Sequence, residues 1–494
     1  MNRFFLQIII VFFTISLVQA QDKLPENRVD YHLSWNGEST LLEVDLVYHS
    51  DDKQNTVFTY GQPNAGGQPQ IFKILGNIKV QKTDSLVIKP EERKVIVYHK
   101  RQGIKHLYFT IDGKLIVDAK RARPNEAFMP TIGKSFFYSM GYQLFMKIDD
   151  YKYNQIGVVW DNWPKEMRYF VSSNPEATPD MMQVIPSEHT CTNTFMLQMS
   201  NDLIVSKYVI KGIPNYLLTS KSDTTSKLPE KIIPLVKDFI PQVREFWHDY
   251  EAPFYVLSAI PLQNKIESTG TGMGFPNGFS FRYSGPLDVI KTHLIAHEVS
   301  HNWIGIQLKY QSQGMENNWF NEGFNDYIAV YNLVKTGFFD QKAFLNYMND
   351  ENLKPHYSSP IRTISGDSIE ANFFKNSLYE KIPYQRGLIY AFYLDNQIRL
   401  ASKGKKNIRD FLLALYIQNK KDKKKQITID DFTKAIEPFL PSGRVAEEIK
   451  NNMLKGDLID FNKVKLIDAF RITYSNDIPV LSLKENVDLK KIYN

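Results

Sequence analysis

Apolar residues alternate with polar ones in the first third of the chain and then recur at helical spacing through most of the rest. From Val29 to about Arg168, runs such as Leu42-Glu43-Val44-Asp45-Leu46-Val47-Tyr48 and Lys94-Val95-Ile96-Val97-Tyr98 read as strands. Turn-rich pieces such as Gly61-Gln62-Pro63-Asn64-Ala65-Gly66-Gly67 separate them, which predicts an antiparallel β domain. Around Thr219 to Lys227 the composition turns to Ser, Thr, Lys and Asp, and Pro229 then opens a helical pattern to about His248. A domain boundary is expected there. Phe254 to Ile260 reads as a buried strand and leads into a glycine-rich segment, Gly270 to Gly278. Helical spacing covers Leu287 to Ile306, Trp319 to Val334, Tyr384 to Leu400, Ile408 to Ile417, Ile429 to Ile436 and Val445 to Leu454. After Leu458 short strand-like pieces return, interrupted by Pro479, as in a small hairpin or a tail packed on helices.

The expectation is a multidomain β + α protein. Residues 21–225 form its N-terminal β domain, 226–345 its catalytic domain, 346–457 an α-helical region and 458–494 a strand-like tail. A chain of 494 residues with 43% hydrophobic and 13% aromatic residues has material for several cores. Residues 1–20 read as a secretory signal peptide: Arg3 precedes the apolar stretch Phe4 to Val18, and Val18-Gln19-Ala20 offers small residues for cleavage. The stretch is short for a transmembrane anchor, and Gln21 stands where a lipid-anchored chain would have cysteine. An exported protein, periplasmic or secreted, with no stable membrane anchor after signal removal is therefore expected. The single cysteine, Cys191, excludes an intrachain disulfide and reads as a small buried residue. A formal charge of +6 is small for this length, and the run from Lys420 to Lys425 lacks interleaved aromatics, so no nucleic-acid partner is expected.

His297-Glu298-Val299-Ser300-His301 puts two imidazoles one turn apart on one helix face, within reach of one metal. Apolar neighbours on both sides, Leu294-Ile295-Ala296 and Trp303-Ile304-Gly305, place the motif in an amphipathic helix. Zinc then needs a third protein ligand and an open fourth position. Glu322, in Asn321-Glu322-Gly323-Phe324-Asn325-Asp326, is the natural candidate. A histidine six residues after His301 is the alternative, but that position is Gln307. Asp326, one turn after Glu322, could accept the outer N–H of a ligating histidine. His293 shares the stripe yet lies too far along it to join the same metal, so a packing or supporting role is expected. Gly314-Met315-Glu316-Asn317 reads as loop structure. Among 27 tyrosines, Tyr384, in Pro383-Tyr384-Gln385-Arg386-Gly387, is the candidate donor to a developing oxyanion.

With these residues in view, the segment from about Pro229 to Leu415 resembles the gluzincin metallopeptidases. The membrane alanyl aminopeptidase family is similar in its zinc helix followed by tryptophan and glycine and then Asn-Glu-Gly-Phe, as at Trp303, Gly305 and Asn321 to Phe324. The glycyl aminopeptidase family is similar in a tyrosine-led apolar helix that ends Leu-Asp-x-x-Ile-Arg, as from Tyr384 to Arg399. The resemblance implies a thermolysin-like α+β catalytic domain, Zn2+ bound by His297, His301 and Glu322, water activation by Glu298 and oxyanion stabilisation by Tyr384. Two departures stand out. The alanyl family spaces its second histidine and glutamate two residues closer. Its upstream Gly-x-Met-Glu-Asn segment appears here as Gly270-Thr271-Gly272-Met273-Gly274, so Gly270, Gly272, Met273 and Gly274 would line the substrate, with Gly274 replacing the glutamate that holds a free amine. Glu267 is the nearest other acid in sequence. Hydrolysis of peptide bonds in a peptide or protein substrate is the leading expectation, with aminopeptidase action favoured over endopeptidase action. An epoxide hydrolase and an inactive secreted peptide-binding homologue are the alternatives. Retention of both Glu298 and Tyr384 speaks against the last.

Overall fold

The computed structural model describes residues 24–50, 54–61, 71–113, 130–148, 153–186, 195–223, 227–262, 268–311, 314, 317–373, 375–422 and 426–493. The leader, Cys191, Glu267, Met315, Glu316 and Lys423 to Lys425 lie outside the described residues. In Leu41–Ser50 the alternation read from sequence sends Leu42, Val44, Leu46 and Tyr48 into the core. That strand pairs antiparallel with Arg28–Ser34 on one side and Gly103–Asp112 on the other, at the centre of a six-stranded sheet. The expected all-antiparallel domain needs one correction. Arg28–Ser34 also pairs with Gln155–Asn162 in parallel, from Arg28↔Gln155 to Leu33↔Trp160, an arrangement open to strands so distant in sequence. Two four-stranded sheets complete this β domain around one core that includes Tyr31, Trp35, Phe58, Phe137 and Leu197.

A separate five-stranded sheet carries the site. Its order is Leu203–Ile210, Ile213–Ser220, Tyr255–Pro261, Gly278–Ser284, Thr269–Phe275, which leaves Thr269–Phe275 on the edge. Its first two strands precede the Ser/Thr/Lys stretch, and the sheet is mixed, since Ile213–Ser220, Tyr255–Pro261 and Gly278–Ser284 run parallel. Helices cover one face: the continuous helical run from Leu228 to Trp247, the histidine helix Val289–Ser300, and Asn325–Thr336 share one core with the long helix Ser377–Ala401. The hairpin of Phe470–Ser475 and Ile478–Leu483 enters the same core through Phe470 and Leu481. No helix of the described residues is long and apolar enough to cross a membrane.

One backbone contact fixes how the helices meet. A methyl group at Gly387 would fall 1.8 Å from the Trp319 carbonyl oxygen and 2.8 Å from the Gly323 Cα, and one at Gly323 would fall 2.7 Å from the Tyr384 carbonyl oxygen. Only paired glycines let these backbones touch, and the contact brings the neighbours Glu322 and Tyr384 to one place. Gly387→Ala is expected to destabilise the fold by about 3 kcal/mol or more, because backbone atoms cannot yield to the methyl group as a flexible side chain would. Urea unfolding measures this directly. A wild-type midpoint would mean that the helices can part without cost.

Candidate metal centre

The histidine helix starts cleanly because the Asp288 carboxylate caps it, accepting from the Lys291 backbone N–H at 2.8 Å. Two turns on, His297 and His301 point to the same spot, with their Nε2 atoms 2.8 Å apart. Glu322 reaches that spot from the π-helical turn Trp319–Phe324, its Oε2 lying 3.2 Å from each Nε2. Asn325, which no local sequence signal marks, ties the two elements together by donating from its side chain to the His297 carbonyl at 2.8 Å.

The protons can be assigned from the partners. His297 Nδ1 lies 2.6 Å from Asp326 Oδ1 and His301 Nδ1 lies 3.0 Å from the Ile304 carbonyl. A carbonyl and an ionised carboxylate only accept, so both Nδ1 atoms carry hydrogen in the neutral rings and both Nε2 atoms present lone pairs. In that neutral state two lone pairs and a carboxylate converge, an array that suits a cation. Sides of 2.8, 3.2 and 3.2 Å come close to the face of a tetrahedron whose edges are roughly 3.3 Å for zinc bonds near 2 Å. The donor set fits zinc. It is also the one group of three metal-capable side chains among the described residues.

Charge follows this geometry. Burial opposes a charge on His297, yet Asp326 and then Glu322 raise its pKa well above the usual imidazole value. Burial would raise Glu322, but the two imidazoles, His301 foremost, hold its carboxyl far below the ordinary range. Glu298 Oε2 lies close to Gly274 of the edge strand, and burial raises its pKa despite the nearby histidines. Tyr384 stacks at 6.1 Å and 20° on the His297 ring, and burial, then Glu322, push its phenol pKa well above normal. A phenol that stays protonated can donate a hydrogen bond. His293 stands apart from the ligands, and burial lowers its pKa to about 4.

The segment read as glycine-rich turns out to be the edge strand, paired from Thr269↔Ser284 to Phe275↔Gly278. Its glycines turn one face to the helix: a methyl at Gly270 would touch the Phe281 ring at 3.0 Å, and one at Gly274 would lie 3.2 Å from Glu298 Oε2. Met273 faces the opposite way and packs with Phe275 and Val256. Of the four residues expected to line the substrate, Gly274 therefore lies nearest the chemistry. Gly274→Ala is expected to keep the metal and lower kcat about 3- to 10-fold, because the methyl displaces the Glu298 carboxylate by a few tenths of an ångström. Unchanged kcat would show that Glu298 has room to move.

Residues 288–453 match the family model of the peptidase family M1 domain. That stretch is about a third of the chain. The match supports a zinc metallopeptidase of aminopeptidase type. The matched stretch takes in the histidine helix, the Glu322 turn and the Tyr384 helix. Among solved structures, an aminopeptidase N family protein from Idiomarina loihiensis aligns with a TM-score of 0.71 at 12% identity, over 88% of this chain and 77% of that one. An M1 zinc metallopeptidase from Deinococcus radiodurans aligns with a TM-score of 0.54 at 11% identity, over 89% and 95%. A mutant M1 zinc metallopeptidase from that organism, bound to a Tyr-Ser-Ala substrate, aligns with a TM-score of 0.52 at 12% identity, over 89% and 96%. At such identities the likeness is one of fold. Among curated proteins no sequence match is found.

Proposed function

We propose that the protein is an exported gluzincin in which His297, His301 and Glu322 hold zinc, Glu298 is the general base and Tyr384 stabilises the oxyanion. In this reading the five-stranded sheet from Leu203–Ile210 to Thr269–Phe275 and the helices on it form a thermolysin-like α+β catalytic domain between the N-terminal β domain and the helical region. The observation that carries it is the triangle of His297, His301 and Glu322 donor atoms, with the half-buried Glu298 carboxylate on the same helix lying close to Gly274 of the edge strand. When bound, zinc supplies a Lewis acid that polarises the scissile carbonyl and makes water nucleophilic near neutral pH. Glu298 takes the proton from the attacking water and returns it to the leaving amine. Tyr384 donates to the carbonyl oxygen as charge develops there, and the outer backbone groups of Thr269–Phe275 align the peptide. Export rests on the leader pattern of residues 1–20.

A second reading, cleavage of internal bonds, is favoured by Gly274. A free ammonium group entering a desolvated cleft needs an anionic partner, and glycine offers none. Metal analysis followed by digestion of a peptide library, with free and acetylated N-termini, tests both. One zinc per chain is expected, with cleavage that favours free amines by less than about 10³-fold. A larger preference would mean an unrecognised anchor worth roughly 4 kcal/mol. Absence of zinc, or a full zinc complement without any hydrolysis, would overturn the assignment.

A further inference from the structure

Asp326 faces two imidazoles, and the second has no place in the chemistry described so far. His297 Nδ1 approaches Asp326 Oδ1 at 2.6 Å, and His293 Nε2 approaches the same oxygen at 3.4 Å. His293 is buried, its ring stacked on Tyr347 with centroids 4.1 Å apart, and its Nδ1 lies 3.0 Å from the Tyr347 hydroxyl. It cannot be a ligand of the same metal as His301, since eight residues of helix separate them by about 12 Å. When the phenol donates to Nδ1, the His293 proton sits on Nε2. That buried N–H meets no hydrogen-bond partner of ordinary geometry among the described residues, and the carboxylate it faces is Asp326.

We propose that Tyr347 and His293 are positioning residues for the metal centre. Tyr347, from the helical segment Tyr347–Leu353, sets the tautomer of His293. His293 then turns a second N–H on the Asp326 carboxylate and restricts its rotation. Asp326, so restrained, holds the His297 ring with Nε2 toward the other ligands. The four residues come from three separate helical segments, so the chain of contacts also couples the packing of Tyr347–Leu353 to the geometry of the site. Groups behind a ligating histidine commonly change metal affinity by roughly 10- to 100-fold.

The inference rests on zinc binding at His297, His301 and Glu322, and the experiment separates the two. Zinc affinity is measured on the full chain by chelator competition, together with kcat and KM, for the wild type, Tyr347→Phe, His293→Leu, His293→Gln, Asp326→Asn and Tyr347→Phe combined with Asp326→Asn. Tyr347→Phe keeps the stacked ring and is expected to weaken zinc binding about tenfold and to lower kcat with KM unchanged. Glutamine, which retains an N–H donor, is expected to recover most of what leucine loses. In the Asp326→Asn background, Tyr347→Phe is expected to change nothing further, because its effect passes through that carboxylate. Wild-type zinc affinity in Tyr347→Phe, or an equal loss with and without Asp326, would overturn this proposal alone. A wild-type protein that binds no zinc would overturn the underlying reading as well.

Discussion

Glu298→Gln is expected to leave one zinc per chain and to lower peptide turnover roughly 10³- to 10⁴-fold. The amide matches the carboxylate in shape, and Glu298 takes no part in the ligand triangle, so metal affinity has no reason to fall. What is lost is the capacity to accept a proton from the attacking water and deliver it to the departing amine. Burial raises the Glu298 pKa, which brings the group closer to the range where a base can both take and return a proton. Alanine at His297, His301 or Glu322 should act oppositely and remove stoichiometric zinc. Isothermal titration with zinc and steady-state kinetics on the same preparations distinguish the two behaviours. Near-wild-type turnover in Glu298→Gln would show that another group moves the proton.

The histidine helix is legible in the sequence because everything that builds it is local. Two imidazoles at i and i+4, apolar neighbours at helical spacing and Asp288 as cap lie within about four turns. The convergence of Glu322 is less local. Its motif is visible, but its position depends on the Gly323–Gly387 contact, made by residues 64 positions apart. The edge strand is harder still. Thr269–Phe275 has glycine at every second place and almost none of the bulk that marks strands, and its state is set by pairing with Gly278–Ser284 and by the need for small residues beneath the zinc helix. The parallel pairing of Arg28–Ser34 with Gln155–Asn162 has no local signal, since alternation along a strand does not reveal its partner's direction. The Tyr384 helix begins at Ser377, not at Pro383. Proline suits a helix start, but Asn376 caps the chain earlier and Pro383 lies inside the helix.

Tyr384→Phe is expected to lower kcat roughly 10²- to 10³-fold with a modest change in KM. The ring has two supports that phenylalanine keeps: it stacks on His297, and Lys381 Nζ lies 5.4 Å over its face. Substrate binding and fold should therefore change little. The hydroxyl is a different matter. Its pKa is held well above the free value by burial and by Glu322, so it remains a neutral donor across the working range. A neutral donor gains little against a ground-state carbonyl and much more once that oxygen becomes negative, which confines its effect to the transition state. Comparing kcat with KM for one peptide across the two enzymes reads that difference. Loss expressed wholly in KM would make Tyr384 a substrate-binding residue, and an unchanged kcat would return it to the packing of its helix.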